Sequence, residues 1–383
     1  MRRCATVWSA VLGMIVASFG LWAGCESGGD DYNSKNSNSN GDTDTDADTD
    51  TDTDADTDTD GDTDTDADTD TDGDTDTGPI IPDCTGCEGV LGATLEAMLC
   101  GVDLCDPAVV LGQDYYSPSG DNTGVTYSAV ARFGDVANDL TPQLNNSYSL
   151  MASGPANGTN HSSDLLGGGL LGINDPFDTA AKVFDVMEWR IHLTAPEGAH
   201  GFQVSYVFFS EEYDEYISSQ YNDKLYIFKS LPDDDTSRQI INFTACRDPD
   251  TYYDFICGAG NPACTEGERY CYIAVNSALS DCCWYPNGSS YAPNPTDPAC
   301  PDGTGGTNIG GTGYECADDS SYDTSTNGSS TGWLQTSWPC EPGETFDIVF
   351  HIHDTSDGIF DSEMILDSFL FVGESDPGTT PIE

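Results

Sequence analysis

Basic residues are scarce in this chain: 11 Lys and Arg stand against 67 Asp and Glu in 383 positions, a formal charge of −56. So few cations exclude phosphate-backbone recognition as its task, because nucleic-acid binding is built on Lys and Arg. Past Cys25 no apolar run approaches the ~20 residues of a bilayer-spanning helix. Catalytic signatures are also missing. There is no Gly-x-Ser-x-Gly elbow, and His161, His192, His200, His351 and His353 show no His-Glu-x-x-His spacing. Gly167-Gly168-Gly169 has no Gly-Lys-Ser/Thr after it and reads as a turn, not a phosphate loop.

What is present begins with an export signal. Arg2 and Arg3 precede an apolar run from Val7 to Leu21 and the ending Trp22-Ala23-Gly24-Cys25. A short positive region, a core too short to span and a small-small-Cys end predict a secretory signal peptide over residues 1–24. The ending resembles a bacterial lipobox, which would acylate Cys25 and anchor the chain to the cell-envelope bilayer. Trp22 occupies a position usually aliphatic in that motif, and ordinary cleavage near Ala23, leaving a secreted protein, is the alternative. Residues 25–80 are an Asn/Ser-rich then acidic linker, with 18 Asp and no basic residue between Asp42 and Asp76. With nothing to bury and neighbouring charges in repulsion, the expectation is a disordered stalk that reaches on the order of 100 Å when drawn out. A calcium-binding repeat is the weaker reading, since Asp-Thr alternation lacks turn glycines and a fixed loop spacing.

The remainder, from Thr77, is itself acidic, with eight basic against 46 acidic residues. Residues 81–106 carry Cys84, Cys87, Cys100 and Cys105 around an amphipathic stretch with Val90, Leu91, Leu95, Met98 and Leu99. In a cytosolic protein such pairs suggest zinc; in an exported one they predict two disulfides stapling a short helix. Further on, β-branched and aromatic runs alternate with Gly, Pro, Asn and Asp. Expected strands cover 125–133, 148–152, 180–193, 202–209, 224–228 and 272–275. The 180–193 and 202–209 strands, joined by the connection Thr194-Ala195-Pro196-Glu197-Gly198-Ala199-His200, are expected to pair antiparallel. The fold class is therefore all-β, a sandwich or jelly-roll-like domain with a stapled N-terminal helix.

Two motifs sharpen this. Phe202-Gln-Val-Ser-Tyr-Val-Phe-Phe-Ser-Glu-Glu-Tyr-Asp-Glu-Tyr216 runs on to Asn222-Asp-Lys-Leu-Tyr-Ile-Phe228, and a later segment holds Pro342-Gly-Glu-Thr345 and an acidic turn from Asp354 to Ser362 before an apolar strand. Together they resemble the choice-of-anchor L domain of bacterial surface proteins. The resemblance covers about residues 107–374, with 375–383 as a tail. It implies an exported protein with a sorting signal, and it specifies no ligand. The family's anchor usually follows the domain, whereas here Glu383 closes the chain ten residues after the last expected strand, so anchoring is expected at Cys25. A second departure is a Cys-rich insertion at about 245–340 containing Cys246, Cys257, Cys264, Cys271, Cys282, Cys283, Cys300, Cys316 and Cys340. With the earlier four these make thirteen disulfide candidates, an odd number, so one thiol is left over or pairs between molecules. The loops, rich in Tyr and Trp, are the expected recognition surface.

Glu211, Glu212, Asp214, Asn222 and Asp223 lie between two strands, and Asp354, Asp357 and Asp361 occupy the second acidic turn. Crowded carboxylates repel unless compensated, and calcium, which takes six to eight oxygens, is the expected compensator outside a cell if the two turns meet. His351 and His353, two apart beside the second turn, are the one transition-metal candidate, with plain packing the favoured reading. Three functions fit. The first is a stalk-presented adhesion domain binding a glycan or a matrix or cell-surface protein. The second is a polysaccharide hydrolase using paired carboxylates. The third is a structural coat protein.

Overall fold

The computed structural model describes residues 79–82, 84–118, 125–156, 158, 160, 172–175, 177, 181–212, 216, 219–245, 254–275, 284–287, 290–293, 306–315 and 328–381. The signal peptide, Cys25, the linker up to 78, Asp214, Cys246, Cys282, Cys283, Cys300 and Cys316 lie outside them.

The elements in order are β1 (Pro79–Ile80), α1 (Leu95–Gly101), β2 (Val110–Tyr116), β3 (Tyr127–Val130), β4 (Tyr148–Ala152), β5 (Ile173–Asn174), β6 (Lys182–Thr194), β7 (Gly201–Ser210) and β8 (Lys224–Ser230). There follow β9 (Gln239–Ile240), β10 (Phe243–Ala245), β11 (Asp254–Ile256), β12 (Arg269–Ala274), β13 (Trp284–Asn287), β14 (Ser290–Pro293), β15 (Ser329–Ser330), β16 (Leu334–Pro339), β17 (Thr345–Thr355), β18 (Ser362–Val372) and β19 (Gly378–Pro381). Two antiparallel sheets make a β-sandwich. The front sheet runs β19-β16-β7-β18-β4-β3, with β1 on β18 and β15 on β7. The back sheet runs β10-β12-β8-β17-β6-β2, with β5, β9 and β11 added beside it.

Period-2 alternation explains the layers. On β7, Phe202, Val204, Tyr206 and Phe208 enter the core between the sheets, while Val207 and Phe209 point outward into a second apolar cluster with Tyr148, Tyr314, Trp333 and Ile365. On β17, Phe346, Ile348, Phe350 and Ile352 face the core. Across the layer, Phe202 stacks on Phe346 at 5.2 Å between ring centroids. The outer face of β17 is polar. There His351 Nδ1 lies 2.8 Å from Glu188 Oε1 and His351 Nε2 lies 2.8 Å from His353 Nδ1. Arg238 pairs with both Glu188 oxygens at 2.7 and 2.8 Å. The two histidines thus sit in a hydrogen-bonded ladder.

The expected pairing of the strands at 180–193 and 202–209 is not observed. β6 belongs to the back sheet and β7 to the front, so residues 195–200 arch across the sandwich. Ala195 and Ala199 are buried in the arch, and the Ala195 amide donates to Glu344 O at 2.9 Å. Both strands are apolar on the face turned to the other, which suits stacking better than side-by-side pairing. The termini differ from expectation as well. Residues 79–80, assigned to the linker, pair with β18, and residues 378–381, assigned to the tail, pair with β16.

Four of the thirteen cysteines form the expected staple, as Cys84–Cys105 and Cys87–Cys100. The stapled helix is shorter than the apolar pattern predicts. Gly92, at φ +108°, bridges to Ala129, and Thr94 then caps the helix, accepting from the Ala97 amide at 3.1 Å. In the insertion Cys257 pairs with Cys264, and Cys271 is also disulfide-bonded. Cys340 is a free, buried thiol.

Candidate cation site at the meeting of two acidic turns

β7 leads through the first acidic turn from the front sheet to β8 in the back sheet. β17 leads through the second from the back sheet to β18 in the front. β7 and β18 are antiparallel neighbours with Ser210 opposite Ser362, and β8 and β17 are neighbours with Lys224 opposite His353. Both crossovers therefore lie at the same end of the sandwich, and the two turns meet.

Hydrogen bonds tie them together. The Glu211 amide donates to Asp361 O at 3.2 Å. Asp223 accepts from the Thr355 amide at 2.8 Å and from the Ser362 hydroxyl at 2.7 Å. The Thr355 hydroxyl donates to Asn222 O at 2.8 Å, and the Asp223 amide reaches Glu212 Oε2 at 3.4 Å. Ser153 and Ser362 exchange bonds, with the Ser362 amide donating to Ser153 Oγ and the Ser153 amide to Ser362 O, both at 2.9 Å. Gly154 lies beside them, and a Cβ there would push the Asp361 carboxylate aside.

The result is a buried group of acids. Glu211, Glu212, Asp223, Asp354 and Asp361 are each at most 3% exposed, Asn222 is buried and Asp357 is half-buried. Neither carboxylate oxygen of Asp354 has a hydrogen-bond partner. Burial first, then the charges of Asp223 and Asp361, push Asp354 well above the usual carboxylate range, with the nearby Ser153 hydroxyl offsetting part of this. Burial and Asp223 do the same to Glu212. Asp223, also buried but with several donors, is pushed up to about 7. Burial raises Asp357. Desolvated acids with too few donors are high in energy as anions, and a hard cation relieves that. No three of these carboxylates have donor atoms within 4.8 Å of one another. Among the described residues that closeness occurs at the stapling cysteines and at His192, Asp233 and Asp347. The latter trio is already served: Asp347 accepts the Asp233 amide at 2.9 Å and meets His192 Nδ1 at 2.7 Å.

Of the eight ligand candidates, the structure places Glu211, Glu212, Asn222, Asp223, Asp354, Asp357 and Asp361 at the same end of the sandwich. Asp214 lies outside the described residues. Sequence reasoning missed Glu363, Thr355, Ser362 and Ser153. Glu363 carried a signal, since an acid inside the run Glu363-Met364-Ile365-Leu366 sits where a strand should be apolar.

No protein-family model matches the chain, and no curated protein matches it. Among solved structures, the cleaved adhesin domain of Lys-gingipain aligns at 8% identity and a TM-score of 0.26, over 68% of this chain and 88% of that one. That likeness is too slight to carry an argument. The sandwich rests on the strand order itself.

Proposed function

We propose that the chain is an exported surface protein of the choice-of-anchor L kind. In this reading Cys25 is acylated and holds it to the cell envelope, the Asp-Thr segment is a stalk, and the sandwich is an adhesion domain. The Cys-rich loops bind a glycan or a matrix or cell-surface protein, and calcium braces the end of the sandwich where the acidic turns meet. Disulfides at Cys84–Cys105, Cys87–Cys100 and Cys257–Cys264 support an oxidising destination.

The observation that carries the cation is Asp354, a fully buried carboxylate with no donor for either oxygen, facing Asp223 and Asp361. Glu212, Asp223, Asp354, Asp357 and Asp361 supply oxygens alone, which suits calcium over softer metals. The cation draws these side chains inward from their present spacing. Calorimetric titration of the chelator-treated protein tests this. Heat of binding and a raised melting temperature are expected; no heat and an unchanged melting temperature overturn it. Binding on a glycan array without release of reducing sugar supports adhesion. Release that Glu212→Gln abolishes identifies a hydrolase instead.

A further inference from the structure

The calcium position proposed above makes no use of Glu363. This residue stands near the start of β18 with the parity of Ile365, opposite to Met364 and Leu366. Ile365 belongs to the outer apolar cluster of the front sheet, and Met364 and Leu366 to the inter-sheet core. Glu363 therefore points to the outer side, away from Asp354. It is 1% exposed, and neither of its carboxylate oxygens has a hydrogen-bond partner. The groups that shift it are burial first, then the adjacent Tyr314 hydroxyl and the like charge of Glu211; no Lys, Arg or His is among them.

Glu211, the first residue beyond β7, is the like charge that acts on both Glu363 and Tyr314. Glu363 stands opposite Phe209 in the sheet register, the fully buried Tyr314 packs on Phe209, and Glu211 is tied through its amide to Asp361 O. Burial raises the Tyr314 phenol most, and Glu363, Glu211 and Asp361 add to the effect in that order. Tyr314 packs on Phe209 at 5.2 Å and Phe133 at 6.4 Å, which fixes the ring under these acids. Asp361 lies between the two groups, acting on Tyr314 on this side and on Asp354 on the other.

We infer that Glu363, Glu211 and Asp361, closed by the Tyr314 hydroxyl, form a second divalent-cation position on the outer side of the front sheet. It rests on the preceding reading only in sharing Asp361. An all-oxygen set with three carboxylates selects calcium, and lanthanides substitute for it, over zinc or copper. The acid-rich end of the sandwich thus holds two cations on opposite faces of one sheet, joined by the residue that leads into β18.

Native mass spectrometry counts the calcium ions, and the part of the tyrosine-excited terbium emission that Tyr314→Phe removes reports the second position, since Tyr216 and Tyr221 stand in the turn of the first. The wild-type chain is expected to bind two ions and to sensitise terbium. Asp354→Asn is expected to lose one ion and keep the Tyr314-dependent emission. Glu363→Gln, which preserves volume and removes charge, is expected to lose one ion and that same part of the emission. Tyr314→Phe is expected to keep both ions while the emission falls by that part; this variant decides the matter if Glu363→Gln does not fold. A single ion in the wild type, lost with Asp354→Asn, overturns the second position and leaves the first standing. Glu363→Gln with both ions and full emission overturns it too. No ion in the wild type overturns both.

Discussion

The amide of Thr355 donates to Asp223 Oδ1 at 2.8 Å, across 132 positions of sequence. This bond joins the last residue of β17 to the residue before β8, and so fastens one acidic turn to the other. It also shows why Asp223 and Asp354 differ. Asp223 accepts from Thr355, Ser362 and Ser210, whereas neither oxygen of Asp354 accepts a hydrogen bond.

Asp354→Asn is expected to raise stability in the absence of calcium, since at nearly constant volume it removes a buried carboxyl that must either take up a proton or bear an uncompensated charge. The same variant is expected to lose most of the calcium-induced rise in melting temperature. At a calcium concentration a hundred times the dissociation constant, that rise corresponds to about 2.7 kcal/mol. Scanning calorimetry with and without chelator checks both parts, and an unaltered calcium response removes Asp354 from the site.

Gly154→Ala is expected to destabilise the domain by about 1–3 kcal/mol, the usual cost of overpacking. The added methyl meets the Asp361 carboxylate directly. Calcium binding should weaken in parallel, because Asp361 must move. Urea unfolding and a calcium titration on the same preparation measure the two effects, and a neutral result in both contradicts the close approach.

A pH effect follows from a second acid pair, Asp103 and Asp367, both fully buried between α1 and a bulge in β18. Burial first, then the charge of Asp103, pushes Asp367 up to about 8, against the Gln143 amide that donates to it at 2.6 Å. Burial also raises Asp103. The folded pKa lies above the unfolded value of about 3.9, so the retained proton favours the folded state. That contribution is full below pH ~4 and is lost as pH rises toward 8. Asp367→Asn should flatten the decline by up to about 1.4 kcal/mol per pH unit. Unfolding midpoints of both proteins between pH 4 and 9 test this, and parallel curves would sink it.

Glu188 shows the opposite sign. Burial alone would raise it, but His351 and Arg238 more than offset this and hold it well below the usual carboxylate range. Its stabilising contribution is present above the unfolded pKa and lost as pH falls through the folded one. Arg238→Met leaves this acid buried with less compensation and is expected to cost about 3–5 kcal/mol. Glu188→Gln combined with Arg238→Met should recover part of that loss, and a double-mutant cycle by chemical denaturation gives the coupling.

Among the cysteines, replacing Cys84 and Cys105 by Ala removes a loop closure of 21 residues and should cost about 3 kcal/mol. Cys340 is buried and its thiol is pushed up to about 12, by burial above all. Alkylation at Cys340 is therefore expected only after unfolding, and peptide mapping of native and denatured samples reads it. Labelling of the native protein at this position contradicts its burial.

Much of the architecture was legible because strand periodicity is local. The runs at 180–193 and 202–209 mark strands, and the spacing of Cys84, Cys87, Cys100 and Cys105 marks a stapled helix. Strand partnership was not legible. Residues 182–194 and 201–210 are neighbours in sequence with a hairpin-length connection, yet stacking their apolar faces across the sandwich buries both, and β17 and β18 supply the partners.

By itself the sequence determined that the chain is acidic, poor in cations and built of strands, because composition and period are properties of neighbouring residues. It also marked two acidic turns without saying whether they touch. Only the tertiary structure decided that, since contact depends on two crossovers emerging at one end of the sandwich. It decided too that Glu363, hidden within an apolar strand, faces outward beneath Tyr314, because which side of a paired sheet is covered is set by the segments packed over it.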